Sequence, residues 1–245
     1  MKNLFIFAGA NGSGKTTLYK RYEEIFRGIP YVNADELLKS LSGKNDPQDA
    51  QLGQFLANEK INQCLLSGES LCFETVFSHE SKIALIERAK ILGYRVTLYF
   101  THLGSADENV TRVEERVKLG GHHVPENKIR SRIPRTLENV KKALKLVDDF
   151  YLFDNQYVSG HQLVAYKRPE ALPVFLGTAP NWVKDLLNGS KRTSVINKAD
   201  LVNVYAAAGY RHKGVHKKCA RCGRFLRGKR RPRLGICSRC EPKIR

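Results

Sequence analysis

Residues 4–17 read LFIFAGANGSGKTT, and this segment decides the fold. Its first five residues are apolar and predict a buried strand, and the pattern over residues 15–26 predicts a helix. Between them, residues 9–17 match G-x-x-x-x-G-K-[ST] in full. Glycines there let backbone N–H groups turn inward, and the next helix adds its own unpaired N–H groups. Strand, loop and helix in this order predict a phosphate-binding loop. The alternative is that the motif matches by chance.

This loop is expected to bind a nucleoside triphosphate, either ATP or GTP. The residues assigned to it are Gly9, Ala10, Asn11, Gly12, Ser13, Gly14, Lys15, Thr16 and Thr17. The Lys15 ammonium can reach the β- and γ-phosphates, and the Thr16 hydroxyl can ligate the Mg²⁺ ion that bridges them. A nucleotide site alone does not distinguish a kinase from an ATPase or a switch.

Strands and helices alternate through the first 177 residues. Predicted strands cover residues 29–33, 70–74, 94–101, 150–154 and 162–166, and predicted helices cover 47–66, 79–92, 106–119 and 126–147. The strand segments are apolar rather than alternating, which is typical of a parallel sheet covered on both faces. We predict an α/β fold of P-loop NTPase/kinase type, with a parallel sheet and flanking helices over residues 1–177. A further short helix is expected near residues 181–187.

Three residues at predicted strand ends are candidates for chemistry, because ligands bind beyond the carboxyl ends of strands in open α/β sheets. Asp35 follows the second strand and can accept a proton from an acceptor hydroxyl; the alternative is a helix N-cap. Glu74 and Thr75 close the third strand, and we assign both to the substrate. Glu74 can hold acceptor hydroxyls or order a Mg²⁺-bound water, or it is an ordinary strand-end carboxylate.

An arginine-rich segment, residues 112–135, is the second strong signal. Arg112 and Arg116 lie four residues apart on one helix face, and Gly120-Gly121 separates this helix from a second one. Two arginine-bearing helices joined at a flexible break suit a lid that closes over a triphosphate, where guanidinium groups neutralise charge. The alternative is a solvated basic helix pair. His122 lies at the break and is expected to contact phosphate or substrate.

Four segments, in this order, resemble the zeta toxin family of P-loop kinases. They are GANGSGKTT (9–17), VNAD (32–35), FETVFS (73–78) and RVKLGGHHVPENKIRSRIPRTLENV (116–140). The resemblance covers roughly residues 1–170, and the arginine-rich run is its most specific part. Ile133 departs from the pattern, since many relatives carry an aromatic residue there.

The resemblance implies phosphoryl transfer from ATP or GTP to a hydroxyl, which is that of UDP-N-acetylglucosamine in studied members. It implies that Lys15 and Thr16 hold phosphate and Mg²⁺, that Asp35 is the base and that Glu74 lies near the acceptor. It also implies an antitoxin partner. The arginines implied to stabilise the transferred group are Arg116 with one or two of Arg130, Arg132 and Arg135.

The C-terminal segment differs from the rest of the chain. Residues 206–245 hold 14 Lys and Arg against one acidic residue, so they carry most of the chain's net charge of +18. Two Cys-x-x-Cys pairs, Cys219 with Cys222 and Cys237 with Cys240, predict a four-thiolate structural zinc site; disulfides are the alternative. We predict a helical linker over residues 178–210 and a basic zinc-ribbon-like module over 211–245. Its basic run fits RNA, DNA or an acidic partner protein.

No apolar run approaches the length of a membrane span, so we expect a cytoplasmic protein with no membrane partner. The leading hypothesis is a Mg²⁺-dependent kinase acting on a small hydroxyl-bearing molecule. One alternative is a nucleic-acid-end or nucleotide kinase that the basic module delivers to its substrate. The other is a non-catalytic, nucleotide-gated nucleic-acid-binding protein.

Overall fold

In the part of the chain that the structure describes, seven strands form one sheet with helices on both faces. The computed structural model describes residues 1–42, 49–157, 160–168, 173–175 and 179–187. The strands are β1 (Asn3–Ala8), β2 (Tyr31–Val32), β3 (Leu71–Thr75), β4 (Arg95–His102), β5 (Asp149–Asp154), β6 (Gln162–Lys167) and β7 (Val174–Phe175). The helices are α1 (Lys15–Tyr22), α2 (Ala34–Ser42), α3 (Ala50–Ser67), α4 (Ser81–Ile91), α5 (Ala106–Lys118), α6 (Glu126–Ala143) and α7 (Asn181–Leu186).

The strand order is β2-β3-β1-β4-β5-β6-β7, and the first five strands in that order are parallel. Their carboxyl ends therefore meet at one edge of the sheet, beside the loop that follows β1. The predicted α/β fold is confirmed, but the expectation of a wholly parallel sheet is wrong, because β6 runs antiparallel to both of its neighbours, β5 and β7. Only residues 155–161 join β5 to β6, too few for the crossover of about a dozen residues that a parallel pair requires.

Two apolar layers cover the sheet. On one face, α3, α4, α6 and α7 pack against strand side chains that include Leu4, Ile6 and Leu98. On the other face, α1 packs on a layer rich in aromatic rings, in which Phe7 stacks on Tyr99 at a centroid distance of 4.9 Å. Both faces of β1 are therefore buried, which agrees with its continuous apolar sequence and holds the loop that follows it in place.

Several element boundaries differ from the sequence predictions. Helix α1 ends at Tyr22 and continues as a 3₁₀ turn over Glu23–Phe26. Strand β2 covers two residues rather than five, because it lies at the sheet edge and Pro30 before it has no N–H to donate. Helix α2 was not predicted. The helix predicted over residues 47–66 is α3, which begins at Ala50 and ends at Ser67, and the helix predicted over 126–147 is α6, which begins at Glu126 as expected and ends at Ala143.

The predicted linker, residues 178–210, begins with a packed helix. Val183 and Leu186 of α7 are buried in the core, and the Trp182 ring contacts Phe100 edge-on at a centroid distance of 5.8 Å. The packed body therefore extends to residue 187. The rest of the linker and the predicted zinc module, with Cys219, Cys222, Cys237 and Cys240, lie outside the described residues. Among the described helices, none has the length and hydrophobicity needed to cross a bilayer.

Candidate nucleotide-binding site

The loop between β1 and α1 follows a backbone path that only glycine adopts easily. Gly12 and Gly14 have φ values of 78° and 96°. A Cβ on Gly12 would lie 2.5 Å from the Asn109 carbonyl oxygen, and one on Gly14 would lie 2.5 Å from Nδ2 of Asn155. Helix α1 begins directly after Gly14, and no side chain caps its first turn. The loop and the helix therefore offer unpaired backbone N–H groups to an anion.

Polar side chains from β4, α5 and the β5–β6 connection hold this loop in place. The Ser13 carbonyl accepts hydrogen bonds from the Thr101 hydroxyl at 3.1 Å and the Asn155 amide at 2.8 Å. The Asn109 amide donates to the Asn11 carbonyl at 2.6 Å. The loop is thus ordered by the protein itself, which reduces the entropy lost when a phosphate binds.

Glu74, at the carboxyl end of β3, collects four polar contacts. Its Oε2 accepts hydrogen bonds from the Thr16 hydroxyl at 2.8 Å, the Tyr31 phenol at 2.6 Å and the Asn33 amide at 3.1 Å. Its Oε1 lies 3.7 Å from Nζ of Lys15. Burial, followed by the Glu74 charge, raises the pKa of Tyr31 above its ordinary value, so this phenol stays a donor. Glu74, which was assigned to the substrate, therefore also contacts two residues of the phosphate loop, Thr16 and Lys15.

Lys15 is buried, and its ammonium donates to the Ala10 carbonyl at 3.1 Å. Burial lowers the pKa of Lys15; the Glu74 and Asp35 carboxylates oppose this shift, and the Arg116 guanidinium reinforces it. Three predicted site residues therefore lie within electrostatic range of this ammonium. Two cations and two carboxylates therefore lie beside the loop, and the cations are the groups that can attract a phosphate.

Asp35 lies in the first turn of α2 with an exposed side chain. Its alternative interpretation as a helix N-cap is wrong, because Asn33 takes that position. The Asn33 Oδ1 atom accepts from the backbone N–H groups of Asp35 at 2.9 Å and of Glu36 at 3.4 Å. The Asp35 carboxylate is consequently free of a capping role and faces solvent at the carboxyl edge of the sheet.

Arginines of α5 and α6 surround the loop from the other side. Arg116 is half-buried, its Nη2 donates to the His122 carbonyl at 2.7 Å, and its buried Nε has no partner among the described residues. Arg132 donates to Oδ1 of Asn11 at 3.3 Å, and burial, with the nearby Arg135, lowers the pKa of Arg132. Arg135 itself is exposed and bonds the Ser131 carbonyl of its own helix.

Helices α5 and α6 have a small apolar cluster of their own. Val110 and Val113 of α5 pack with Val124 and Ile129, and Ile133 lies against this cluster. Arg130 is exposed and pairs with Glu126 and Asp107, so it ties α6 to α5 instead of facing the loop. His122 contacts Arg116 through its backbone carbonyl, which accepts the Arg116 hydrogen bond and so orients that guanidinium.

Thr75 shapes the turn that follows β3. Its hydroxyl accepts the Phe77 N–H at 3.1 Å, and Phe77 has φ 66°, the left-handed region that bulky residues rarely adopt. Helix α6 holds this turn through the Thr136 hydroxyl on the Val76 carbonyl at 3.0 Å and the Asn139 amide on the Phe77 carbonyl at 3.1 Å. The side chain predicted to contact substrate is therefore occupied by the backbone of its own turn.

The fold thus brings Lys15, Thr16, Glu74, Asp35, Arg116 and Arg132 around one loop. It leaves the side chains of Thr75 and Arg135 engaged with local backbone. Sequence reasoning missed Tyr31, Asn33 and Asn155, which hold Glu74 and the loop. Each lies at or next to the carboxyl end of a strand, and that position is the signal that would have identified them.

Comparisons with known proteins agree with the fold. No protein-family model matches the chain. A curated protein of Haemophilus influenzae, described only as uncharacterized, is 27% identical over 137 residues, which cover 54% of this chain and 94% of that protein. That level of identity leaves the family open.

Solved structures give a closer account of the architecture. A chain in the crystal structure of the AvrRxo1-ORF1:ORF2 complex with ATP has a TM-score of 0.58 at 18% identity, over 89% of this chain and 68% of that one. In the native complex the match spans 59% of the AvrRxo1 chain. A chain of the PezAT chromosomal toxin-antitoxin system of Streptococcus pneumoniae has a TM-score of 0.52 at 14% identity, over 85% and 86% of the two chains. The chain therefore shares its α/β fold with proteins of known structure from a toxin-antitoxin system and from a complex crystallised with ATP.

Proposed function

We propose that this chain is a nucleotide-dependent phosphotransferase that moves the γ-phosphoryl group of ATP or GTP to a hydroxyl acceptor. The observation that carries the proposal is the contact of Thr16 and Lys15, both in the phosphate loop, with the single carboxylate of Glu74. The likeness to a chain crystallised in a complex with ATP supports the nucleotide part of the proposal. The resemblance of residues 1–170 to zeta toxin kinases supports the transfer.

The residues around Thr16 fit a Mg²⁺ ion. The Thr16 hydroxyl donates its hydrogen bond to Glu74, so the lone pairs of the hydroxyl oxygen remain available to a metal ion. Mg²⁺ prefers hard oxygen ligands of this kind. Bound there, Mg²⁺ would neutralise charge on the β- and γ-phosphates. Glu74 fixes the direction of the Thr16 hydroxyl, and Tyr31 and Asn33 fix Glu74.

Asp35 is proposed as the general base. Its carboxylate is exposed, lies at the carboxyl edge of the sheet and is close enough to Lys15 to affect the pKa of that residue. In this role it accepts the proton of the acceptor hydroxyl as the oxygen attacks the γ-phosphorus, while the bond from that phosphorus to the bridging oxygen breaks and the nucleoside diphosphate leaves. Arg116 and Arg132 stabilise the transferred group, and Arg135 joins them if the lid closes further.

The acceptor proposed from the zeta toxin resemblance is UDP-N-acetylglucosamine. The likeness to a chain of a toxin-antitoxin system supports a second protein as partner, an antitoxin that binds the kinase. A second candidate acceptor is a nucleic acid end or a nucleotide. The concentration of positive charge in residues 206–245 favours it, because phosphate backbones bind such segments.

The test incubates the full-length protein with labelled ATP or GTP, Mg²⁺ and a panel of UDP-sugars, nucleosides, nucleotides and oligonucleotide ends. Transfer to a UDP-sugar supports the first acceptor, and transfer to a nucleic acid end supports the second. Tight nucleotide binding with no transfer to any acceptor refutes the phosphotransferase and favours a nucleotide-gated binding protein.

We also propose that residues 211–245 form a separate zinc-stabilised module. The support is the spacing of the four cysteines, together with the small number of apolar side chains available for a core. Elemental analysis of the purified full-length chain should give one zinc per molecule. Serine at Cys219 and Cys237 should abolish it, and zinc retained in that variant would exclude the site.

A further inference from the structure

Helix α5 ends in a Schellman turn that contains two successive glycines. The Gly120 N–H donates to the Val117 carbonyl at 2.9 Å, and the Gly121 N–H donates to the Arg116 carbonyl at 2.9 Å. This pair of hydrogen bonds defines the turn, and the residue in the position of Gly120 adopts the left-handed conformation. Gly120 has φ 82°, and among the described residues no atom beyond its chain neighbours lies within 4 Å of where its Cβ would be. The turn therefore explains why residue 120 is a glycine.

The turn does not explain Gly121. Its φ lies outside the left-handed region, so residues with a side chain could adopt this backbone conformation. In a Schellman turn an apolar side chain commonly occupies this position and packs on the side chain at the position of Arg116. Here the Arg116 side chain fills that space itself, because a Cβ on Gly121 would lie 2.5 Å from the Arg116 Cγ and 3.2 Å from its Cδ. Gly121 therefore lets the stem of Arg116 lie across the turn.

Arg116 is on the face of α5 that packs on the phosphate loop. Asn109, Val113 and Arg116 follow one another at intervals of four and three residues, so they share one helix face. The first two contact the loop at Gly12, where a Cβ would lie 2.5 Å from the Asn109 carbonyl oxygen and 3.3 Å from the Val113 Cγ2. Arg116 follows Val113 by about 4.5 Å along the helix. The Arg116 side chain therefore lies beside the loop.

The Arg116 guanidinium is fixed at one end and lacks a partner at the other. Its Nη2 donates to the His122 carbonyl at 2.7 Å, directly after Gly121, whereas its buried Nε has no partner among the described residues. Besides burial, which is the main cause, the Arg116 charge lowers the pKa of Lys15, so the two cations lie within electrostatic range. A buried donor without a partner is costly, and a charged acceptor such as a phosphate oxygen would satisfy it.

We propose that Gly121 is a positioning residue for Arg116. The missing side chain lets the guanidinium cross the turn, bond the His122 carbonyl and direct its Nε toward the γ-phosphate. This inference rests on the proposed phosphotransferase, in which Arg116 stabilises the transferred group. A side chain at position 121 would displace the Arg116 stem, and the contact with His122 would be lost with it.

The test compares, by calorimetry with Mg²⁺, the affinities of the full-length protein for ADP and for a non-hydrolysable ATP analogue. The ratio of the two affinities reports on the γ-phosphate and needs no acceptor. We expect Gly121→Ala to lower this ratio at least about tenfold, the loss expected for a hydrogen bond to a charged group, and to leave the ADP affinity unchanged. Gly120→Ala is the matched control, because it strains the same turn without touching Arg116. It should lower stability and leave the ratio unchanged.

A double-mutant cycle with Arg116→Ala separates positioning from a purely structural effect. Arg116→Ala removes the stem that Gly121 accommodates, so adding Gly121→Ala to it should lower the ratio no further. The added Cβ also lies 2.8 Å from the Arg116 carbonyl oxygen, and this backbone contact is present in both backgrounds. It should cost the same unfolding free energy in each. A fall of the affinity ratio that is equal in both backgrounds would assign the effect to the turn and overturn the inference.

The two proposals fail in distinguishable ways. If Arg116→Ala lowers the ratio and Gly121→Ala does not, the positioning role is refuted and the proposed function stands. If neither variant changes the ratio, Arg116 does not reach the γ-phosphate, and the inference is refuted together with the role proposed for Arg116. A wild-type protein that binds neither nucleotide would refute the phosphotransferase and the inference together.

Discussion

Replacing Tyr31 with phenylalanine removes one of the three hydrogen bonds that Glu74 accepts, together with the longer hydrogen bond, at 3.3 Å, that the phenol oxygen accepts from the Asn33 amide. The phenol donates to Oε2 of Glu74 at 2.6 Å, while the ring stacks on Tyr19 with a centroid distance of 3.6 Å and an interplanar angle of 7°. Phenylalanine preserves this stack. The variant thus removes one donor that holds the carboxylate beside Thr16, and with it an acceptor for the Asn33 amide.

The expected magnitude follows from the kind of bond. A hydrogen bond to a charged group contributes about 1.5–3 kcal/mol. Thr16 and Asn33 still donate to the same oxygen, so we expect the low end, a loss of about 1–1.5 kcal/mol. Because an ordered Glu74 directs the Thr16 hydroxyl toward the metal, this loss should appear as a rise of about five- to twelvefold in the Mg²⁺ concentration that gives half-maximal binding or transfer.

The assay follows binding of a fluorescent ATP analogue, and separately phosphoryl transfer, as Mg²⁺ or Mn²⁺ is titrated. Tyr19→Phe is the matched control, because it alters the other ring of the same stack and leaves the donor to Glu74 in place. A metal titration that is identical for Tyr31→Phe and the wild type would refute the role assigned to Tyr31. A shift of equal size in Tyr19→Phe would assign the effect to the stack.

Three further outcomes are expected. Gly14→Ala should lower the free energy of unfolding by more than Gly93→Ala does. Both sites have a positive φ near 80–100°, but only at Gly14 would the added Cβ collide with a neighbour, Asn155. Equal losses of unfolding free energy in denaturant titrations would contradict this difference. Asp35→Asn should bind nucleotide nearly as well as wild type and lose transfer, and retained turnover would remove Asp35 as the base. Burial lowers the pKa of His102 from 6.5 to about 4. As the pH falls from 6.5 to 4, this imidazole therefore takes up a proton in the unfolded chain but stays neutral in the folded one. Stability should then fall by up to about 1.4 kcal/mol per pH unit from this residue, and a His102→Asn variant with the same pH dependence would refute it.

The strand, loop and helix at the N-terminus were predictable because their signals are local. Leu4 to Ala8 are apolar on both faces of a strand, and the glycines and Lys15 follow at fixed spacing. The parallel strands β3, β4 and β5 were found for the same reason. The arginine-bearing helices α5 and α6 were also predicted, since the Gly120-Gly121 break and the following proline mark where one ends and the next begins.

Other parts depend on contacts between distant residues. Asn155 bonds the Ser13 carbonyl across 142 positions of sequence, and Tyr31 reaches Glu74 across 43. The local sequence marks a strand end beside each residue, but it does not indicate the distant partner. The direction of β6 depends on the length of the connection from β5, which the apolar pattern of the strand does not encode. Helix α2 is short, and its N-cap is Asn33, so Asp35 alone gave an ambiguous signal.

In the proposed function, the loop after β1 binds the terminal phosphates of a nucleotide through Lys15. Calorimetric titration of the full-length protein with ATP and GTP, in the presence of Mg²⁺, tests it most directly when wild type and Lys15→Ala are compared. We expect the variant to bind at least about tenfold more weakly, because it loses a charge-assisted contact to phosphate in a buried site. Equal affinity of the two proteins for both nucleotides would contradict the account.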